Sequence, residues 1–159
     1  MPNQTYSLYH KRGYAGELFD SAPRTTQTGL VEGASLGFGL ALKVGSDAAN
    51  GGVVPGSVSG KVFAISMREL NHEAANKPSD GTTTYVKDES VSIMRQGFLL
   101  VKVTGRAAVA HSLANVNDTT GAFTGGSAAG GETQSTNVTF LEAGQVGDIV
   151  KARIDIVHA

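Results

Sequence analysis

The sequence predicts an all-β protein, a jelly-roll-like sandwich or a small barrel, and three observations carry that prediction. Apolar residues alternate with polar or small ones over several short runs, which is the period of a half-buried strand and not of a helix. Turn residues separate these runs: the 159 residues include 21 Gly and 4 Pro, and Gly inside a helix costs about 1 kcal/mol relative to Ala. One stretch alone has helix-compatible composition, MRELNHEAANKPSDG from Met67 to Gly81, and Pro78 and Gly81 cut it short. At most one short helix is therefore expected.

Residues 1–27 show no sustained period and are broken at Pro2, Gly13, Gly16 and Pro23, so they read as an N-terminal arm. Residues 28–159 read as a single β domain. Within the arm, Tyr14 and Leu18 stand four apart, as two helical turns would place them, but so short a helix is marginal in water. Twelve extended residues reach about 40 Å, enough to lie on a neighbouring subunit.

From Leu36 to Val44 the alternation is strict, with Leu36, Phe38, Leu40, Leu42 and Val44 on one face and Gly37, Gly39, Ala41 and Lys43 on the other. Two glycines on one face leave two readings open: another backbone or a bulky aromatic lies against it, or the strand is twisted or bulged. Residues 45–60 read as a long loop or hairpin tip, with Asn50-Gly51 supplying the turn. Lys61 to Ser66 is a short strand, and β-character resumes from Thr82 to Met94. Gly97 to Thr104 is apolar on both faces over its first half, as a central strand is. Arg106 to Asn115 suits helix or strand, with strand preferred among strand neighbours. Residues 115–135 are rich in Gly, Ser and Thr and read as a second long, exposed loop with Phe123 alone in it. Thr136 to Leu141 and Val146 to Val157 form a closing hairpin, with Val150, Ala152, Ile154 and Ile156 on one face and Lys151, Arg153 and Asp155 on the other.

Composition excludes several functions. The absence of Cys removes zinc fingers, iron–sulfur sites, cysteine nucleophiles and disulfide scaffolds. Thirteen Lys+Arg against 14 Asp+Glu give a net charge of -1, with no electrostatic footprint for nucleic acid or an anionic membrane as partner. No apolar run approaches the roughly 18 residues of a membrane span, and the first residues lack the pattern of a secretory signal. A soluble product made in the cytoplasm is expected.

Three motifs fall short of chemistry. His72 to Asn76 begins like a zinc-protease helix, but Asn76 stands where the second His is needed. Gly56 to Val62 is one residue short of a phosphate-binding loop, and Val62 cannot ligate magnesium. Gly37 to Gly39 opens no helix and has Leu42 in place of the third glycine of a dinucleotide site. His111 and Ser112 are adjacent, so on a strand they face opposite sides and cannot pair as base and nucleophile. Asn3, Asn117 and Asn137 head glycosylation acceptor patterns that carry little weight without a signal sequence. No catalytic, cofactor-binding or metal-ligating residue is assigned, no cofactor is expected, and the protein is read as no enzyme.

Read as ordered blocks, the chain resembles the structural cement proteins of tailed bacteriophages. The blocks are GYAGELFDSAP (Gly13 to Pro23), SLGFGLALKVGSD (Ser35 to Asp47), KVFAISMRELNHE (Lys61 to Glu73), YVKDESVSIMRQGFLLVKV (Tyr85 to Val103) and GDIVKARIDI (Gly147 to Ile156). Ala15 to Asp20 and Ser90 to Gly97 match most closely, whereas Lys87-Asp88 and the enlarged segment 115–135 depart from the family pattern. The resemblance implies a capsid decoration protein on the outer surface of an icosahedral head, made in the host bacterial cytoplasm and clamping neighbouring copies of the major capsid protein. Self-association is expected too, as a dimer rather than a trimer. A tail, baseplate or adhesion β-module is the alternative. Tyr6, Tyr9, Tyr14, Leu18 and Phe19 are the candidate interface residues, aromatic and apolar anchors of the kind that dominate interfaces, unless the aromatics fold back on their own core.

Overall fold

The computed structural model describes residues 13–19, 22–69 and 84–156. Its strands are β1 (Thr25–Val31), β2 (Ser35–Leu36), β3 (Ala41–Val44), β4 (Gly52–Pro55), β5 (Ala64–Ser66), β6 (Tyr85–Val86), β7 (Ser90–Thr104), β8 (Leu113–Asn117), β9 (Phe123–Thr124), β10 (Glu132–Phe140) and β11 (Ile149–Ile154). Among the described residues the sole helical element is a 3-10 turn at Ala48–Asn50.

Strand β7 organises the rest. Its 15 residues are rich in β-branched and apolar side chains and span about 50 Å, longer than the wall of one small barrel. Two closed circuits of strands share it. In the first, the Ser90–Gln96 half of β7 pairs antiparallel with β1 on one edge and with β5 on the other, and β3 and β4 complete the ring back to β1. In the second, Gly97 to Lys102 pairs with β11, Val103 and Thr104 pair in parallel with β9, and β10 and β8 close the circuit. Closure is what removes exposed strand edges, and it resolves the sandwich-or-barrel choice in favour of small barrels.

Each circuit encloses its own core. Val31, Leu36, Phe38, Leu42, Val53, Ala64, Tyr85, Val91 and Ile93 fill the first. Leu99, Val101, Val103, Val116, Phe123, Val138, Phe140, Val150, Ala152 and Ile154 fill the second, together with Ala41, Ile65 and Met94. Those last three reveal the joint. Ala41 pairs with Ile65 and Ile65 with Met94, so they lie side by side across β3, β5 and β7. Their chain neighbours Leu42, Ala64 and Ile93 face the first core. Because successive side chains point to opposite faces, these strands form one wall between the two cores, apolar on both sides.

Several expectations need revision. The run from Leu36 to Val44 is two strands, broken where Gly39 adopts φ +68°. Gly51 makes the expected left-handed turn, φ 77°, but residues 45–60 also contain β4, which returns antiparallel along β3 and bonds β1. Gly97 is not the start of a strand: β7 runs straight through it at φ 140°, with an ideal Cβ 3.0 Å from both Arg24 Cβ and Met94 Sδ. Segment 115–135 is not one exposed loop, for it contains β9, and Phe123 is 1% exposed in the second core. Arg106 to Asn115 forms turns leading into β8. The helix-compatible stretch shows no helix at Met67 to Glu69, and its remainder lies outside the described residues.

Buried polar groups fasten loops to this frame. Asn137 mimics a backbone partner: its Nδ2 donates to the carbonyls of Val62 and Asp155 at 2.8 Å each, and its Oδ1 accepts from the Val62 N–H at 3.1 Å. A side chain so engaged is unsuited to carry a glycan. Tyr85 donates its hydroxyl to the Met67 carbonyl at 2.9 Å, and burial, with the negative charges of Glu69 and Glu89, raises its pKa so that it stays a donor. Phe38 meets the Tyr85 ring edge-on at 5.3 Å.

A shared wall predicts shared cooperativity. Ile65→Ala, a truncation in the second core, is expected to cost about 2–5 kcal/mol. Hydrogen exchange should show the amides of both barrels losing protection together; loss confined to the second barrel would refute a common wall.

Candidate functional site

Tyr6 and Tyr9 lie outside the described residues; Tyr14, Leu18 and Phe19 share one short segment. That segment does not form helical turns. A tight turn, with the Glu17 N–H donating to the Tyr14 carbonyl at 3.2 Å, sends the chain along β7. The Gly16 N–H donates to the Leu100 carbonyl at 2.7 Å, the Leu100 N–H donates to the Glu17 carbonyl at 2.9 Å, and Leu18 bridges Leu99 antiparallel. The edge of β7 occupied here is the one between the stretches taken by β1 and β9, so the arm fills a gap in the ladder. Unpaired backbone at this depth would be costly.

Close approach makes this possible. A Cβ on Gly16 would lie 2.8 Å from the Arg68 nitrogen and 2.9 Å from that of Gly39, and a Cβ on Gly39 would lie 2.7 Å from the Gly16 nitrogen. The close-backbone reading of the glycine face thus holds at Gly39, with the protein's own arm as the neighbour. Gly37 meets only Leu40, at 3.3 Å.

Electrostatics then clasp the segment. Arg68, with 3% of its side chain exposed, forms an ion pair with Glu17, and its guanidinium stacks 4.0 Å from the centre of the Tyr14 ring. The other Glu17 oxygen accepts from the Tyr14 N–H at 2.9 Å. Tyr14 is therefore folded back onto its own chain, while Leu18 and Phe19 stand 41% and 44% exposed. Lys151 of β11 sits 3.6 Å over the Phe19 ring and pairs with Glu142 at 3.1 Å. Between them opens a cleft of about 270 Å³ lined by Gly13, Glu17, Phe19, Leu100, Glu142 and Lys151.

This arrangement can bind: an apolar tip on a rigid base, rimmed by charge. Sequence reading missed its supports, Arg68, Leu100, Glu142 and Lys151. The alternation of β11 does place Lys151 outward, but only the fold sets Phe19 beneath it. Elsewhere, Ser112 Oγ donates to the Val109 carbonyl at 2.7 Å in a turn where His111 is exposed. Among the described residues no three acidic or histidine side chains converge as metal ligands would.

Comparison with known proteins places the fold. The family described as "Structural cement protein (E217 gp24/Pam3 gp6)" matches residues 1–155. A chain from the structure titled "The capsid of Myoviridae Phage XM1" superposes with a TM-score of 0.71 at 18% identity, covering 96% of each chain. No curated protein sequence matches.

If the clasp holds the arm, Glu17→Ala should cost about 1–3 kcal/mol by leaving the buried Arg68 without that carboxylate. The Gly16 and Leu100 amides should then exchange faster, while those of β10 stay protected. Unchanged exchange at Gly16 would mean that backbone pairing alone seats the arm.

Proposed function

The chain belongs to the structural cement protein family, and from that membership we propose that it is a structural component of a tailed-phage head, seated on the outer capsid surface and bridging neighbouring major capsid subunits. The single observation that carries the contact surface is the Leu18–Phe19 tip, two large apolar side chains held in the open on a paired and clasped backbone. Exposed apolar groups fixed in place lose little entropy on docking, and anchors of this kind carry most of the binding energy at interfaces.

The rest of the molecule suits a clamp. Two closed barrels sharing a wall resist shear, and closed circuits leave few free edges to pair with the wrong chain. Weak contacts repeated by capsid symmetry add up without any one being strong. Self-association as a dimer belongs to the same proposal, since it would present two tips at once. Binding of this kind calls for complementarity and copy number, and for no reaction centre.

Heads assembled without this chain should burst at lower temperature or milder osmotic shock than complete heads. Replacing both Leu18 and Phe19 by Ala should leave the melting temperature within about 3 °C, as solvent-exposed truncations do, yet lower head occupancy at limiting protein by about tenfold or more. A chain confined to the tail at a few copies per particle would refute the head assignment in favour of a tail or baseplate module.

A further inference from the structure

A second surface lies at the first barrel, and none of its lining residues belongs to the Phe19 cleft. Val44, Val58, Val62 and Phe63 wall a cleft of about 230 Å³, and its remaining lining is cationic: Lys43, Lys61 and Arg95. Among the described residues no acidic side chain lines it. In a chain of net charge -1, three cations gathered around exposed valines are a local inversion of charge.

Strand geometry explains how they meet. Thr25 pairs with Gln96 while Thr26 pairs with Met94, so Arg95 is the extra residue of a β-bulge, a device that re-aims a side chain. Its guanidinium lies 4.2 Å over the Phe63 ring, and Phe63 packs against the first core. The Arg95 Nε is buried without a hydrogen-bond partner among the described residues. Lys61 forms no ion pair among the described residues. Lys43 donates to the backbone carbonyl of Asp118 at 3.1 Å, while the Asp118 carboxylate is taken by the Ser57 and Thr133 hydroxyls at 2.7 Å each. Arg95 and Lys43 are thus held in place, and among the described residues none of the three cations has a carboxylate of its own.

Apolar surface continues from them. Val44 and Val58 are 44% and 59% exposed, and Val44 and Phe63 also line an adjoining depression of about 330 Å³ with Gln27, Ala48, Gly51 and Gly52. The acids near that far end are engaged: Glu32 accepts from the Ser46 and Asp47 N–H groups, and Asp47 accepts from Asn50 Nδ2. The groove is cationic at one end and apolar along its length.

We propose that this groove receives an extended acidic segment of the neighbouring protein on the head, one carboxylate facing Arg95 and Lys61 and an adjacent apolar side chain resting on Val44 and Val58. Arg95 supplies a planar fork suited to a carboxylate, and Lys61 a mobile point charge. The identity of the neighbour rests on the head assignment above; the chemistry of the groove does not.

Two measurements on the full-length protein test this. The first is titration with a capped Phe-Glu-Leu-Asp peptide, followed by amide chemical shifts. Shifts should appear at Val44, Val58, Phe63 and Arg95 and be absent with the Phe-Gln-Leu-Asn counterpart. No shift with the acidic peptide, or equal shifts with inorganic phosphate alone, overturns the proposal. The second uses heads depleted of this chain: the Lys61→Gln, Arg95→Gln double variant, folded by circular dichroism, should bind them about tenfold or more weakly and with a shallower salt dependence than the original protein. Unchanged head binding overturns the proposal. So does dissociation of a free-chain oligomer by the same substitutions without loss of head binding, since the occupant would then be a second copy. If heads never carry the chain, the head assignment fails while the peptide result still judges the groove.

Discussion

Everything in this structure depends on the hydrogen-bonded pairing of β7 along both of its edges. Fifteen residues of extended chain expose two rows of donors and acceptors, and leaving any of them unpaired in the interior is costly. Strands β5 and β11 share one edge, and β1, the arm and β9 share the other in that order. Two barrels follow because no single small barrel has a wall that long. The arm's place follows as well, since Gly16 to Leu18 occupy the stretch of β7 that neither β1 nor β9 reaches.

The same constraint links fold to surface. Fixing Gly16 and Glu17 against Leu100 leaves Leu18 and Phe19 exposed beside β7. Arg68 turns that geometry into a clasp by satisfying Glu17 and covering Tyr14. A buried cation needs its partner, so the clasp is hard to open one contact at a time. At the far half of β7 a bulge does the opposite work, turning Arg95 out of the ladder and toward Phe63. One strand thereby positions both an apolar tip and a cationic groove.

Much of this was legible in the chain. The closing hairpin shows its inward Val150, Ala152 and Ile154 and its outward Lys151 and Arg153 by simple alternation, because one face is core and the other solvent. The family resemblance rested on ordered blocks and holds over nearly the full length. The shared wall was not legible. Ala41 falls on the bare face of its strand and Met94 on the wrong side of Ile93, unless a second core is known to lie there. Strand β9 escaped for another reason: two residues have no period, and glycine next to Phe123 signals exposure in composition while Gly121 and Gly125 are buried. Gly97 misled because a strand start and a mid-strand bend use the same residue. At the arm, aromatic content could not show that Tyr14 faces inward and Phe19 outward, since Arg68 and Lys151 come from distant parts of the chain.

The most direct test of the structural role is an electron-microscopy map of the intact head at a resolution that shows side chains. The account predicts this chain at symmetry-repeated positions across junctions between major capsid subunits, with Leu18 and Phe19 buried against one of them. A map with the chain absent from the head, or present with that tip facing solvent at every copy, would contradict it.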